Sequence, residues 1–413
     1  MIANNLIWSV TGEAVRLTGS FAAFLVLVRV YPPADFGLLV SATALFATVF
    51  PLASVGGGWL LLQRVTKDRW SPERALATAS GLTVTGSLLV GASVLVVRPV
   101  ILPQMPALLF AGVAVAELLL MGLVEVTLFA AQATERLAAK AAAWSVYGIG
   151  RAVAAAVLLA TVDRPGLGLW IVISIGVSGV VLVVAQVATV GRLVGPSRPR
   201  RIDVREGLPY SVGFGAERLL ATTDSVLLVR FDFTADAGLY AAGRRLLTVS
   251  LAPCFAALHA VSARLWRAGA RSVVEARTLA IRFTVVGSAY GIVTMVGWLL
   301  AGDLAIGLLG SSYEQTAAIL PWLSVVPLLT VLEIFAGTAL TGSGHHHRRV
   351  LLTIGAGLLN LVLNLAWIPG AGWRGAIAAS LVSSAVFVVS LWLVLAWACT
   401  QWQAGDRKER RRP

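Results

Sequence analysis

Charge is scarce in this chain, and its two signs are unequal. Asp, Glu, Lys and Arg together make up 13% of the 413 residues, about half the share usual in soluble domains. By contrast 58% of residues are hydrophobic and the mean hydropathy is +0.84. That balance excludes a soluble globular fold and indicates a polytopic membrane protein. Cysteine is almost missing: Cys254 and Cys399 both fall in apolar stretches, which supports neither a disulfide framework nor a paired-cysteine metal site. Lysine is nearly absent too, with Lys67, Lys140 and Lys408 against thirty arginines. Genome composition explains that bias as readily as phosphate binding does. Long external connections are lacking, the longest running roughly from Gly302 to Gln315, too short for an extracellular domain. No Gly-x4-Gly-Lys-Ser/Thr phosphate loop occurs, so the chain holds no ATPase of its own.

What is present is a series of apolar runs. Twelve reach spanning length, approximately 6–30, 36–62, 75–97, 106–130, 139–161, 167–190, 207–230, 236–261, 279–301, 316–341, 350–368 and 374–399. The first is too long for a signal peptide and lacks a small-residue cleavage pattern, so it is expected as a retained helix. Of the thirty-three Lys and Arg, twenty-three lie in connections on one side, whereas Arg29, Arg98, Arg164, Arg230 and Arg374 lie on the other. The positive-inside rule then predicts cytoplasmic termini and an even number of spans. Placed on loops in this way, the net charge of +13 calls for no nucleic acid. The tryptophans fit this orientation as an aromatic belt, Trp8, Trp70, Trp144, Trp266 and Trp402 toward the cytoplasm and Trp170, Trp298, Trp322, Trp367 and Trp373 toward the outside.

The most polar internal connection, Gly191 to Glu206, carries five arginines and two prolines and divides the spans six and six. The predicted organisation is a six-helix bundle over 1–191, a basic cytoplasmic linker over 192–206, a second six-helix bundle over 207–400 and a basic tail over 401–413. A weak internal repeat agrees: Arg29-Val-Tyr-Pro-Pro-Ala-Asp-Phe-Gly-Leu38 recurs as Arg230-Phe-Asp-Phe-Thr-Ala-Asp-Ala-Gly-Leu239, an offset of 201 residues. Both copies fall at the external turn after the first span of a half, which predicts halves of equal orientation related by an axis along the membrane normal. Asp35 and Asp236 in these turns read most simply as caps of the helix that follows.

Charges inside the apolar runs are the functional signal, because each is costly in a bilayer. Arg16, Arg151 and Arg218 stand about eleven residues inside their runs, near the midplane at ~1.5 Å per residue. Arg244 and Arg245 lie closer to the external face. Acids accompany them: Glu13, Glu117 and Glu217 at mid-depth, Asp224 further out, Glu125 and Glu333 further in. Two readings compete. The arginines bind an anionic ligand in a cavity, guanidinium being suited to bidentate contact with phosphate oxygens. Alternatively, arginine and carboxylate neutralise each other and fix helix packing, as the spacing of Glu13 and Arg16 on one helix face allows. The acids Glu13, Glu117, Glu217, Asp224 and Glu333 are candidates for such pairing or for coupling to a proton or sodium ion. The run His345-His346-His347 after Gly344 is expected as a solvated cytoplasmic turn.

The order of several motifs resembles a known family. Asn4, Asn5, Gly12 and Arg29 with the turn Tyr31-Pro32-Pro33-Ala34-Asp35-Phe36-Gly37 are similar to the opening of polysaccharide-export flippases of the Wzx type. Asn360-x3-Asn364-x4-Pro369-x2-Gly372-x2-Gly375-Ala376-Ile377-Ala378-Ala379 resembles that family's penultimate hairpin. Leu208-Pro209, Asp224 and Gly238-Leu239-Tyr240 resemble parts of its second half. The resemblance implies the multidrug, oligosaccharidyl-lipid and polysaccharide exporter superfamily, an all-α membrane fold with two six-helix bundles around a central cavity, and alternating access. It also implies a polyprenyl-diphosphate-linked oligosaccharide as cargo, no cofactor, a bacterial plasma membrane location and a polysaccharide polymerase or glycosyltransferase complex as a candidate partner. The expected function is a flippase for cell-surface polysaccharide synthesis, with Arg16, Arg151, Arg218, Arg244 and Arg245 contacting the head group. The rivals are a multidrug extruder of the same superfamily and an integral-membrane glycosyltransferase or polymerase. For the last, the short external turns leave no room for donor and acceptor.

Overall fold

Apolar runs without strand alternation become helices here, and no strand occurs among the described residues, which in this computed structural model are 2–162 and 165–409. In chain order the helices are α1 (Ile2–Val30), α2 (Pro33–Ser54), α3 (Gly57–Thr66), α4 (Pro72–Ile101), α5 (Ala107–Val113), α6 (Met121–Ala133), α7 (Leu137–Thr161), α8 (Leu167–Val190) and α9 (Arg201–Arg230). There follow α10 (Thr234–Ser250), α11 (Ala252–Arg271), α12 (Val273–Leu300), α13 (Gly302–Leu309), α14 (Thr316–Leu323), α15 (Val326–Gly342), α16 (His346–Ala371) and α17 (Trp373–Glu409). All twelve expected segments are helical. Nine stretches are long and apolar enough to cross a membrane among the described residues. The segments outside that set, α1, α9 and α10 with α11, are the ones that carry Glu13, Arg16, Arg218, Asp224, Arg244 and Arg245.

Several expected continuous spans are interrupted. The second divides into α2 and α3 at Val55 and Gly56, both left-handed with φ of 47° and 62°. A β-branched residue with positive φ is a true outlier, here closing α2 through a hydrogen bond from the Val55 amide to the Leu52 carbonyl at 3.3 Å. The close approach explains the glycines, since a methyl group on Gly56 would overlap the Gly207 carbonyl. In the fourth segment a π-helical stretch, Ala114–Leu120, separates α5 from α6. In the tenth, α14 ends at Leu323 and α15 begins at Val326, with Pro327, which lacks an amide hydrogen, in its first turn. The longest expected external loop, Gly302 to Gln315, is instead largely helical, as α13 and a 3-10 turn over Ser311–Tyr313.

Contacts divide the chain into two compact units, Met1–Arg218 with Ser225–Gly238, and Leu219–Asp224 with Leu239–Pro413. In the first unit α1 runs along α7, and α3, α4 and α6 share a core around Leu61, Leu76 and Val126. In the second, α11, α12, α15 and α17 enclose Leu265, Val331, Phe335, Leu391 and Leu395. The stretch expected as a linker is extended only to Arg200, and α9 begins at Arg201. It is strapped to the first unit: the Ser197 amide donates to the Ala77 carbonyl at 2.9 Å and the Val194 amide to Gln186 Oε1 at 2.9 Å.

Arg64, one of the charges just beyond the second expected run (36–62), is buried. Its Nη2 donates to Asp203 Oδ1 at 2.6 Å and to Glu206 Oε2 at 2.9 Å, while its guanidinium lies over Trp70. Asp203 in turn accepts from the Arg200 amide at 2.7 Å, capping α9. The start of the second half is therefore anchored in the first unit by an ion pair that the positive-inside count could not reveal.

The internal repeat has a structural counterpart in that unit. A methyl group on Gly37 would overlap the Thr234 carbonyl, and one on Gly238 would overlap the Pro33 carbonyl. Shifted by the repeat offset, Pro33 becomes Thr234 and Gly37 becomes Gly238, so the two halves of this crossing are the same contact made twice. The two repeat turns touch at equivalent positions because glycine at each lets the backbones meet.

Candidate functional site

The first group of candidate side chains lies along the seam of α1 and α7. Small residues bring these helices close: Gly12 faces Ala141, and Gly19 and Gly148 face each other's helix backbone. On α1, Arg16 makes a two-pronged pair with Glu13, Nε donating to Oε2 at 3.0 Å and Nη2 donating to Oε1. Its guanidinium stands 4.9 Å from the Trp144 ring centroid. About two turns further along α7 than Trp144, Arg151 is held between the rings of Tyr147 and Trp170, at 5.5 and 5.0 Å, and donates to the Tyr147 hydroxyl at 3.3 Å. Opposite it, 4.0 Å away, is Glu117. That acid sits in the π-helical stretch, and such wide turns recur at functional sites because they re-aim one side chain within an otherwise regular helix.

This arrangement alters the depth map. Counting from span ends puts the arginines on one level, but the α1–α7 contacts place Arg16 about level with residue 146. Arg151 is then some five residues beyond it, roughly 7 Å at 1.5 Å per residue. The difference arises because α1 starts about five residues further back than α7: each arginine is 14 residues from the start of its own helix, at Ile2 and Leu137. Both pairs are part-exposed, with side-chain exposures of 27% and 45% for Arg16 and Glu13, and 18% and 28% for Arg151 and Glu117.

The second group, in the other unit, is centred on Asp224, which is fully buried. Its Oδ2 accepts hydrogen bonds from the Tyr240 hydroxyl at 2.5 Å, the Ser380 hydroxyl at 2.6 Å and Arg244 Nη1 at 3.2 Å. Its Oδ1 accepts from Asn364 Nδ2 at 2.8 Å. Asn364 Nδ2 also donates to Asn360 Oδ1 at 2.9 Å, and Asn360 Nδ2 donates to Ser383 Oγ at 3.1 Å. Four helices, α9, α10, α16 and α17, meet through this network. Buried polar groups of this kind are stable only when satisfied, and one is not: Asn364 Oδ1 is buried with no partner.

The remaining expected residues are dispersed. Arg218 on α9 and Arg245 on α10 are exposed, and Glu333 on α15 is half-buried. The Glu217 side chain lies outside the described residues. Of the five arginines expected to share one cargo, Arg16 and Arg151 share a seam in the first unit, and Arg244 belongs to the Asp224 cluster. Sequence reasoning missed Tyr147, Ser380 and Ser383, and it read Trp144 and Trp170 as belt residues when both rings carry a guanidinium. The spacing of Trp144, Tyr147 and Arg151, three and four residues apart on one helix face, was the available signal. The turn at His345 is tied by a 2.9 Å contact from its Nδ1 to the Ser343 carbonyl oxygen, and His346 and His347 are exposed at the start of α16. Among the described residues no three His, Cys, Asp or Glu side chains gather as metal ligands.

No protein-family model matches the sequence, and no curated protein sequence matches it significantly. Solved structures do. An inward-facing multidrug resistance MATE family transporter of the MOP superfamily superimposes with a TM-score of 0.73 at 14% identity, over 97% of this chain and 99% of that one. An outward-facing MATE family transporter of the same superfamily gives 0.64 at 14% identity, over 96% and 95%. A MOP superfamily transporter from Pyrococcus furiosus, described as having a binding pocket of reverse polarity that suggests a different function, gives 0.59 at 15% identity, over 94% of each chain. The chain has the all-helical fold of these membrane transporters over nearly its whole length.

Proposed function

We propose that the chain is a secondary transporter that flips a polyprenyl-diphosphate-linked oligosaccharide from the cytoplasmic to the outer leaflet by alternating access. The observation that carries this reading is the row Arg16, Trp144, Tyr147 and Arg151 on the α1–α7 seam of a transporter fold, with Trp170 of α8 packed against Arg151. Guanidinium groups recognise phosphate oxygens in two-pronged fashion and keep their charge at any working pH. Aromatic faces beside them suit the sugar that follows the diphosphate. The polyprenyl tail stays in lipid, so the protein supplies a path only for the polar end. Asp224, joined to Arg244 in the second unit, is the proposed coupling carboxylate. Neutralisation of its charge by a proton would release Arg244 from its ion pair.

The test is export in cells that depend on this chain. Deletion should leave lipid-linked repeat units on the cytoplasmic leaflet, and Arg16→Ala or Arg151→Ala should reproduce that accumulation with protein levels intact. Normal export from both variants would remove the reading.

A second reading, a multidrug extruder, is supported by the pairing of Arg16 with Glu13, Arg151 with Glu117 and Arg244 with Asp224. These pairs bring the net charge near zero, which a cationic or neutral drug tolerates. Efflux of cationic dyes that is lost on Glu117→Gln but kept on Arg151→Ala would favour it.

A further inference from the structure

A surplus of positive charge away from the α1–α7 seam lies at one end of the second unit, the end that the positive-inside rule predicts to be cytoplasmic. Five arginines fall between Arg264 and Arg282, around the turn from α11 to α12, and Arg348 and Arg349 stand in the first turn of α16. The single carboxylate in these two stretches is Glu275. It is taken by Arg271, whose Nη2 donates to Glu275 Oε1 at 2.7 Å. Arg277, Arg282 and Arg348 are exposed, so the surplus is presented at the surface.

Arg348 has an aromatic support. Its guanidinium lies over the ring of Trp397 on α17, 3.9 Å from the centroid, and among the described residues no carboxylate is paired with it. A cation over a ring face is held by the ring quadrupole and not through a hydrogen-bond acceptor, so the N–H donors of Arg348 keep their capacity for phosphate oxygens. The Trp397 indole adds one N–H of its own.

Both residues head an apolar row. On α17, Val386, Val389 and Leu393 lead to Trp397, and on α16, Leu351, Leu358 and Val362 follow Arg348, each set spaced to share one helix face. These six side chains are between 45% and 64% exposed, on helices long and apolar enough to cross a membrane, so the rows face lipid. Val386 to Trp397 and Arg348 to Leu358 each rise about 15 Å, half of a hydrocarbon core ~30 Å thick and the depth of one leaflet. The first turn of α12 joins the same rim, because Cys399 Sγ of α17 donates to the Val273 carbonyl at 3.6 Å. Arg277 follows Val273 by one turn.

We propose that Arg348 and Trp397 form a head-group site for an anionic phospholipid of the bilayer, with its acyl chains along the exposed rows of α16 and α17. The proposal stands apart from the cargo reading, which concerns the first unit. Arg348 donates to the phosphate while the indole holds the guanidinium in place. The surplus from Arg277 and Arg282 favours a head group of net negative charge over one that carries a choline cation. A lipid so placed bridges α16 to α17, the two helices that supply Asn364 and Ser380 to the Asp224 network.

The test is native mass spectrometry of the full detergent-purified chain titrated with dioleoylphosphatidylglycerol, and in parallel arms with dioleoylphosphatidylcholine and inorganic phosphate. One phosphatidylglycerol per chain should be retained at concentrations where the choline lipid is not. Arg348→Gln should weaken that site roughly ten- to hundredfold, as loss of a charge-assisted hydrogen bond implies. Arg348→Lys should weaken it less, keeping the charge without the planar fork, and it carries the test if the glutamine variant fails to fold. Arg192→Gln, at an exposed arginine of the first unit, should change nothing. Wild-type retention by both Arg348 variants overturns the site, and so does an equal loss in Arg192→Gln, which would show an effect of net charge alone. Equal retention of the choline lipid overturns the anionic head group, and displacement of phosphatidylglycerol by equimolar inorganic phosphate overturns the lipid as the ligand.

Discussion

Replacing Asp224 by alanine should lower the stability of the second unit severely, and the network fixes how much. The carboxylate accepts four hydrogen bonds, three from neutral donors and one from Arg244. Tyr240 and Asn364 are fully buried, so each would be left as a buried donor without its acceptor, at a cost of about 1–3 kcal/mol apiece. Arg244 is 34% exposed and can turn to solvent, so its share is discounted. Ser380 is half-buried and can turn its hydroxyl to another acceptor. The two donors sum to about 2–6 kcal/mol, centred on the ~3–5 kcal/mol seen when one partner of a buried pair is removed. For a unit of this size ~3–5 kcal/mol corresponds to a fall in apparent melting temperature of ~6–20 °C. Asp224→Asn should cost only about 1–2 kcal/mol, because the amide keeps the shape and the Tyr240 and Ser380 hydroxyls can rotate to accept from it. The assay is thermal unfolding of the detergent-purified chain followed by size-exclusion chromatography, at one fixed heating rate because such unfolding is irreversible. An alanine variant that melts with the wild type, or an asparagine variant less stable than the alanine one, would refute the account.

Two further outcomes follow from local geometry. Gly37→Ala and Gly238→Ala should each destabilise by about 1–3 kcal/mol, since either methyl group meets a carbonyl oxygen of the facing turn. Because both lie in one crossing, the double variant should cost less than the sum, and strict additivity in melting experiments would show two independent contacts. Tyr31, in the turn between α1 and α2, donates to the Gly166 carbonyl at 3.3 Å. Burial, with Asp35 nearby as the lesser cause, pushes its phenol from 10.0 up to about 12. The neutral phenol is the form that folding favours, so its contribution is complete below pH ~10 and is lost as pH rises toward ~12. Stability measured across that range should fall in the wild type, and Tyr31→Phe should remove this part of the fall. An unchanged slope would place the titrating group elsewhere.

The helical segments were legible because an apolar run of spanning length has few alternatives in a bilayer. Their interruptions were not. Hydropathy is blind to φ, so Val55 and Gly56 vanish into a continuous apolar run, and the π-helical stretch around Glu117 has the composition of any other turn. Gly56-Gly57-Gly58 and Pro327 were visible hints that a helix could break. The ten-residue repeat was readable as sequence, whereas the reciprocal contact of Gly37 and Gly238 needed the fold. The intramembrane charges stood out because each is expensive, but their partners depend on which helices are neighbours. Tyr240, Asn360 and Asn364 were therefore visible as family-like positions without being recognisable as the surroundings of Asp224.

The two groups of charges differ in a way that sorts their roles. In the first unit Arg151 and Glu117 are 4.0 Å apart, beyond hydrogen-bond length, and Glu13 is nearly half-exposed. An incoming anion that takes either arginine displaces a carboxylate that is already part-exposed and, at Glu117, only loosely held, so the exchange costs less than it would in the second unit. In the second unit Asp224 is buried and already has four donors. An anion that drew Arg244 away would leave a buried carboxylate without its cation, a loss of several kcal/mol that a single phosphate contact does not repay. Unless Asp224 is neutralised at the same moment, Arg244 is less available to an anion than Arg16 or Arg151. On the proposed anionic-cargo reading, binding then favours the α1–α7 seam, and withdrawal of Arg244 becomes a step that requires a proton or a metal cation to replace it. Arg244→Ala should accordingly impair coupling and stability before it impairs head-group binding. Farnesyl diphosphate affinity reduced by Arg244→Ala as far as by Arg151→Ala would put Arg244 back among the direct contacts.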